Sequence, residues 1–139
     1  MRTSDVAVLR PWVAVGGDKG VRLYMWCPAC EDVHGVELDA ATGPKWDYND
    51  DLSAPTISPS IKVEGVQWEL GHTFHKPRHH VGTGEPICCH SFVRAGRWEF
   101  LSDCTHDLAG QTVDLPSISN WPGHFVTNLA AGGDDVGTP

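Results

Sequence analysis

Thiol and imidazole side chains recur at the ends of predicted strands, and zinc is the metal that this donor set favours. The CxxC pair of Cys27 and Cys30 follows a predicted strand at 21–26 and precedes a return strand at 34–38. Two thiolates on one tight turn are typical of a zinc knuckle. A second group of donors comes much later in the chain: Cys89, His90, Cys104 and His106. Four such donors in one place would hold a tetrahedral zinc ion.

The second group lies at the open end of a predicted β-hairpin. Residues 87–93 and 98–101 are rich in β-branched and aromatic side chains, and Ala95-Gly96 supplies a two-residue turn between them. This turn sets a register in which Val93 faces Trp98, Ser91 faces Phe100 and Cys89 faces Ser102. The hairpin therefore brings 88–90 close to 103–106.

We expect the zinc ligands to be Cys27, Cys30, Cys89 and Cys104, with His34 as a nearby alternative. This set would clamp the first hairpin to the second and help a turn-rich domain to stay folded. Four thiolates would make a closed, structural site. A site that includes His90 or His106 would leave a position for a water that zinc makes acidic enough to attack a carbonyl. The third reading is that the cysteines are small core residues.

The same hairpin end offers the parts of a hydrolase, namely a hydroxyl, imidazoles and a carboxylate. The candidate catalytic residues are His90, Ser91, Asp103 and His106. Because neighbours in a strand point to opposite faces, His106 and not His90 would have to be the base for Ser91. In the alternative reading, His106 is a cap or a metal ligand and Ser91 is an ordinary hairpin residue.

Length and composition predict a mainly β fold, built as a small single domain of short antiparallel hairpins around a zinc site. The 139 residues include 15 glycines and 10 prolines, which favour turns over long helices. We expect one domain over 1–131, a flexible tail over 132–139 and at most a helical turn at 105–109. Pro59 confines its strand to an edge or a bulge.

The four histidines between residues 71 and 86 are expected in a solvated loop: His72, His75, His79 and His80. Cys88 is expected to be the thiol left over, since the chain has five cysteines.

The net charge of -8 argues against nucleic-acid binding by phosphate neutralisation. No stretch approaches the roughly 20 apolar residues of a membrane span. We therefore expect a cytoplasmic protein without nucleic-acid or membrane partners. A reducing compartment favours metal ligands over disulfides for the five cysteines.

Four motifs together resemble a family of small proteins found in tailed bacteriophages and bacteria. They are CPxC at 27–30, Pro-Thr-x-Ser-Pro-Ser at 55–60, Cys-His-Ser-Phe-Val at 89–93 and the block Asp-Cys-x-His-x-Leu-Ala-Gly-Gln-Thr-Val-Asp-Leu-Pro at 103–116. Phage members often carry the label "ammonia monooxygenase", which fits a thiolate-rich site poorly. Some bacterial members lie beside genes for ubiquitin-like conjugation and are thought to be peptidases. The family pattern covers Cys27, Cys30, His34, Cys89, His90, Ser91, Asp103, Cys104 and His106.

The resemblance implies a zinc-containing hydrolase that acts on protein or ubiquitin-like conjugates, in the host cytoplasm if a phage encodes it. Two alternatives remain open. A zinc-stabilised binding module that inhibits a host protein would use its histidines as ligands or core residues. A phage structural or decoration protein would assemble through edge strands.

Overall fold

Two antiparallel sheets form the fold of this computed structural model, which describes residues 4–40, 45–67, 76 and 78–123. The first sheet has the order β1-β2-β3 and the second the order β4-β5-β6-β7-β8. The strands are β1 Val8–Val13, β2 Lys19–Cys27, β3 Asp32–Ala40, β4 Asp47–Tyr48, β5 Ile57–Val66, β6 Pro86–Arg94, β7 Arg97–Phe100 and β8 Thr112–Asp114. The prediction of a mainly β fold is confirmed.

The central hairpin forms in the predicted register. Val93 pairs with Trp98 and Ser91 pairs with Phe100 across β6 and β7. Ala95 and Gly96 both adopt positive φ, of 51° and 78°, as a two-residue turn between twisted strands requires. The predicted facing of Cys89 and Ser102 falls beyond the end of β7, so it is not part of the ladder.

The core lies between the two sheets and is anchored by Trp98. This side chain is fully buried, and its indole Nε1 donates a hydrogen bond of 2.9 Å to the backbone oxygen of Trp26 in β2. Leu23 and Met25 of β2 meet Val93 and Phe100 of the other sheet in the same buried cluster. The two sheets therefore share one hydrophobic core, and β2 and β6 run on either side of it.

The predicted helical turn at 105–109 does not form: residue 105 is a bend, His106 forms an isolated β-bridge and residues 107–110 form turns. A 3-10 helix lies instead at Ile118–Asn120. The predicted tail at 132–139 lies outside the described residues. No helix among the described residues is long and apolar enough to cross a membrane.

Candidate active site and metal centre

Strand β6 carries two kinds of chemistry on its two faces. Cys89, Ser91 and Val93 point into the core, with exposures of 2%, 0% and 0%. His90 lies between them and points to the other face, where its side chain is 23% exposed. Because successive side chains of a strand point to opposite faces, the Cys89 thiol is buried while the imidazole of the adjacent His90 is accessible.

On the outer face, Ser60, His90 and Asp103 form a connected chain of hydrogen-bonding groups. The Ser60 Oγ lies 3.2 Å from Nε2 of His90, and Nδ1 of the same ring lies 3.0 Å from Oδ2 of Asp103. The distances fit a serine hydroxyl that donates to the imidazole and an imidazole that donates to the carboxylate. This is the arrangement of nucleophile, base and orienting acid in a serine hydrolase.

A bulge in β5 brings Ser60 to the imidazole. Ile57 pairs with Val93 and Ile61 pairs with Ser91, so β5 uses four residues where β6 uses two. The extra residues precede Ser60 and include Pro59, which has no N–H for a ladder bond. The expectation that Pro59 lies at an edge or a bulge is confirmed. The Ser60 carbonyl accepts a hydrogen bond of 3.3 Å from the indole Nε1 of Trp46, which holds the bulge from the β4 side.

Asp103 favours its charged form. The hydrogen bond from His90 lowers the pKa of Asp103, and the positive charge of Lys62 acts in the same direction. Lys62 is the residue directly opposite His90 in the β5–β6 ladder. Because the Asp103 side chain is 51% exposed, solvent screens these interactions.

The structure does not bring Ser91 to an imidazole. Its Oγ is buried without a hydrogen-bond partner among the described residues. His106 is buried as well, and its Nδ1 accepts a hydrogen bond of 3.2 Å from the backbone N–H of Leu108. Of the four predicted catalytic residues, the structure therefore joins His90 and Asp103 and leaves Ser91 and His106 on the inner side. The partner hydroxyl, Ser60, is the last residue of the Pro-Thr-x-Ser-Pro-Ser motif, and sequence reasoning did not select it.

On the inner face, the predicted metal ligands gather between the two sheets. One ligand atom from each of four buried residues lies within 4.8 Å of the others: Cys27, Cys30, His34 and Cys89. Cys27 and Cys30 flank the β2–β3 turn, where the Cys30 N–H points at the Cys27 Sγ over 3.4 Å. The Sγ atoms of Cys27 and Cys89 are 3.9 Å apart. Donors around one tetrahedral zinc ion are separated by about 3.8 Å, so this spacing fits a metal.

A second group of donors adjoins the first through Cys89. Ligand atoms of Cys89, Cys104 and His106 again lie within 4.8 Å of one another. Cys104, which we expected in one set with Cys27 and Cys30, thus belongs by distance to a group with His106. All five cysteines are free thiols in the structure, and Cys88 belongs to neither group.

His79 also reaches the cluster, which corrects the prediction that the histidine-rich loop is solvated. It is 3% exposed, and its Nε2 lies 3.5 Å from the Sγ of Cys30. Its Nδ1 lies 2.5 Å from the Thr105 hydroxyl, which fixes the ring as outer partners fix metal-bound imidazoles. His80 is exposed as predicted, whereas His72 and His75 lie outside the described residues. The local composition gave no sign of this, because the contacts that draw the segment inward are long-range: His79 forms a β-bridge with His106, and the Gln67 side chain donates to the His79 carbonyl over 3.2 Å.

A family model described as "Bacterial ubiquitination-like system serine protease (BubE)" matches residues 6–101. The chain belongs to the BubE family. No curated protein and no solved structure matches the chain. The matched region of this BubE-family protein contains Ser60 and His90, together with Cys27, Cys30 and Cys89, and ends just before Asp103. The earlier resemblance to proteins near ubiquitin-like conjugation genes is confirmed by this match.

The pKa values of the cluster thiols in this BubE-family protein are shifted in different directions. Burial raises the pKa of Cys27, but hydrogen bonds from Cys30 and Cys89 outweigh it, so the pKa lies well below its usual range. The hydrogen bond with Cys89 lowers the pKa of Cys104 to about 5. The same contact with Cys104 raises the pKa of Cys89, followed by its contacts with Cys27 and Cys30. Cys27 and Cys104 thus favour the thiolate, the form that binds zinc, whereas Cys89 favours the thiol.

The buried cluster and the outer site are joined through the backbone of His90. The His90 N–H lies 3.2 Å from the Cys104 Sγ, and this sulfur lies 3.1 Å from the His90 carbonyl oxygen. His90 and Asp103 each have a cysteine of the buried cluster as a neighbour in the chain. Cys89 precedes His90, and Cys104 follows Asp103. An ion that fixes these sulfurs would therefore also fix the imidazole and the carboxylate.

The outer site lies on the face of the second sheet that points away from the core. A concave surface is found elsewhere, at the β1–β2 hairpin, where Pro11, Trp12 and Lys19 contribute to its lining. This concavity contains none of the predicted catalytic residues.

Proposed function

We propose that this BubE-family protein is a serine protease whose catalytic residues are Ser60, His90 and Asp103. The observation that carries the proposal is the pair of contacts, 3.2 Å and 3.0 Å, that joins the three side chains on the accessible face. The family match to a serine protease supports it independently.

Each residue has one role in the proposed reaction. The Ser60 Oγ attacks the carbonyl carbon of the scissile bond while His90 Nε2 takes the hydroxyl proton. His90 then gives this proton to the leaving amine, and the acyl group stays on Ser60 as an ester. A water molecule, deprotonated by His90, releases the acid and restores the hydroxyl. Asp103 holds the ring by accepting from Nδ1 and stabilises the imidazolium.

We propose a protein substrate, namely the peptide or isopeptide bond of a ubiquitin-like modifier. The family description names a ubiquitination-like system. The position of the three residues on the outer face of the sheet, with Asp103 exposed and Ser60 and His90 partly accessible, supports a substrate that approaches as a folded protein with an extended terminus. The cytoplasmic location and the phage origin considered from the sequence stay predictions.

We propose that the resident metal is zinc and that its role is structural. The residues fit the ion: thiols and imidazoles are zinc donors, and His34 Nε2 is a buried nitrogen without a partner among the described residues. Cys27, Cys30, His34 and Cys89 would hold it. When bound there it would cross-link the two sheets, because Cys27 and His34 lie in strands of the first sheet and Cys89 lies in β6 of the second.

A serine-directed fluorophosphonate probe tests the assignment of the nucleophile. We expect one covalent label per folded, zinc-loaded chain, which peptide mass mapping would locate on Ser60. The label should be lost in Ser60→Ala and His90→Ala and kept in Ser91→Ala, the matched control on the inner face. A label on Ser91, or hydrolysis that persists in Ser60→Ala, would overturn the proposal.

A further inference from the structure

The buried cluster contains more donors than one zinc ion can take. Four thiols and three imidazoles converge between the sheets: Cys27, Cys30, Cys89, Cys104, His34, His79 and His106. A structural zinc ion is almost always four-coordinate. One ion would therefore leave three buried donors of the right chemistry without a metal.

The distances divide these donors into two groups that share one sulfur. The group of Cys27, Cys30 and His34 and the group of Cys104 and His106 each close on Cys89. A cysteine sulfur has lone pairs for two metals, and bridging thiolates are how compact zinc–cysteine clusters hold two ions. Cys89 sits at the only donor position common to both groups among the described residues.

Each group also contains one imidazole nitrogen that nothing else satisfies. His34 Nε2 and His106 Nε2 are both buried without a hydrogen-bond partner among the described residues. The side chains are 6% and 3% exposed. A buried polar atom left unpaired is unfavourable, so each such nitrogen in a native fold requires a partner. One ion in the first group would satisfy His34 and leave His106 Nε2 bare.

We propose that the cluster holds two zinc ions bridged by the sulfur of Cys89. The first is bound by Cys27, Cys30, His34 and Cys89. The second, a new site, is bound by Cys89, Cys104 and His106, and its fourth ligand comes from His79 or a water molecule. This inference does not depend on the proposed protease activity, since it rests on the inner face alone.

Metal stoichiometry and X-ray absorption test the proposal. Native mass spectrometry of the full chain, purified with zinc present and then washed with a weak chelator, should show two zinc ions per chain. The absorption spectrum should contain a metal–metal vector at about 3.5–4 Å. One zinc per chain would overturn the proposal. A second ion that the wash removes, with no metal–metal vector, is an adventitious ion only and would overturn it as well.

Variants assign the two positions. Cys104→Ser and His106→Gln should each retain one ion, because the first group is intact, whereas Cys88→Ser is the matched thiol control and should retain two. Two ions in both Cys104→Ser and His106→Gln would refute the second site. If these variants do not fold, titration of metal-free wild-type chain with Co²⁺ replaces them. Thiolate-to-cobalt absorption should then saturate at two equivalents, and saturation at one would refute the proposal.

Discussion

The serine residues Ser60 and Ser91 give the sharpest test of the fold and the site together. They lie one ladder step apart across β5 and β6, since Ile61 pairs with Ser91, yet they face opposite sides of the sheet. Removal of the hydroxyl is the same chemical change at both positions. We predict opposite consequences for Ser60→Ala and Ser91→Ala.

Ser91→Ala should leave catalysis intact and leave stability unchanged or raised. The side chain is fully buried, and its hydroxyl has no partner among the described residues. A buried hydroxyl without a partner costs about 1–3 kcal/mol, and the small void left by one oxygen cancels part of the gain. We therefore expect the free energy of unfolding to change by between zero and about +1 kcal/mol, or about 3 °C in Tm at most.

Ser60→Ala should abolish catalysis and leave stability nearly unchanged. The side chain is half-buried at a bulge, so loss of one hydrogen bond to His90 should change the free energy of unfolding by about 0.5 kcal/mol or less. Loss of the nucleophile should reduce kcat by about 10³–10⁶-fold.

The assay compares both variants with wild type at saturating zinc. Urea titration monitored by tryptophan fluorescence gives stability, and cleavage of a ubiquitin-like fusion gives kcat. Retained cleavage in Ser60→Ala together with loss in Ser91→Ala would refute the assignment of the outer face as catalytic. Strong destabilisation by Ser91→Ala would refute the reading of its hydroxyl as unsatisfied.

Three further outcomes follow from the geometry. Asp103→Asn should lower kcat by about 10–100-fold with little change in KM, because water can partly take over the role of a half-exposed carboxylate. Steady-state kinetics measures this effect. An unchanged kcat would contradict the orienting role. Gly20→Ala should destabilise the fold by about 2–3 kcal/mol in urea titration, because a Cβ there would lie 2.3 Å from the Asp39 backbone oxygen. The control Gly65→Ala has its nearest contact at 3.6 Å and should change stability by about 0.5 kcal/mol or less; equal effects would contradict the packing argument. Chelation of zinc should loosen the contact between the sheets, seen as loss of near-ultraviolet circular dichroism that returns with zinc, and an unaltered spectrum would contradict a structural metal.

Strand β6 divides the residues of one motif between two sites. In Cys89-His90-Ser91, the side chain of His90 points outward and is partly accessible, whereas Cys89 and Ser91 are buried. A motif made of adjacent reactive residues suggests a single site, but a strand places such neighbours on opposite faces. The motif therefore belongs to two sites, with His90 in the outer one and Cys89 in the buried cluster.

The sequence by itself determined the local structure. The turn at Ala95-Gly96, the register of Val93 with Trp98 and the bulge at Pro59 follow from short-range preferences of the backbone, which a sequence displays directly. The two donor groups at the strand ends were visible for the same reason, because thiol spacing on a tight turn is a local property.

Only the tertiary structure decided which residues meet. Ser60 reaches His90 because the β5 bulge shifts the pairing of two strands that are far apart in the chain. His79 enters the cluster because its segment bridges to His106, although its own neighbours are glycines, prolines and charged residues typical of a loop. Contacts between distant segments depend on the register and packing of whole sheets, and no local pattern of residues encodes them.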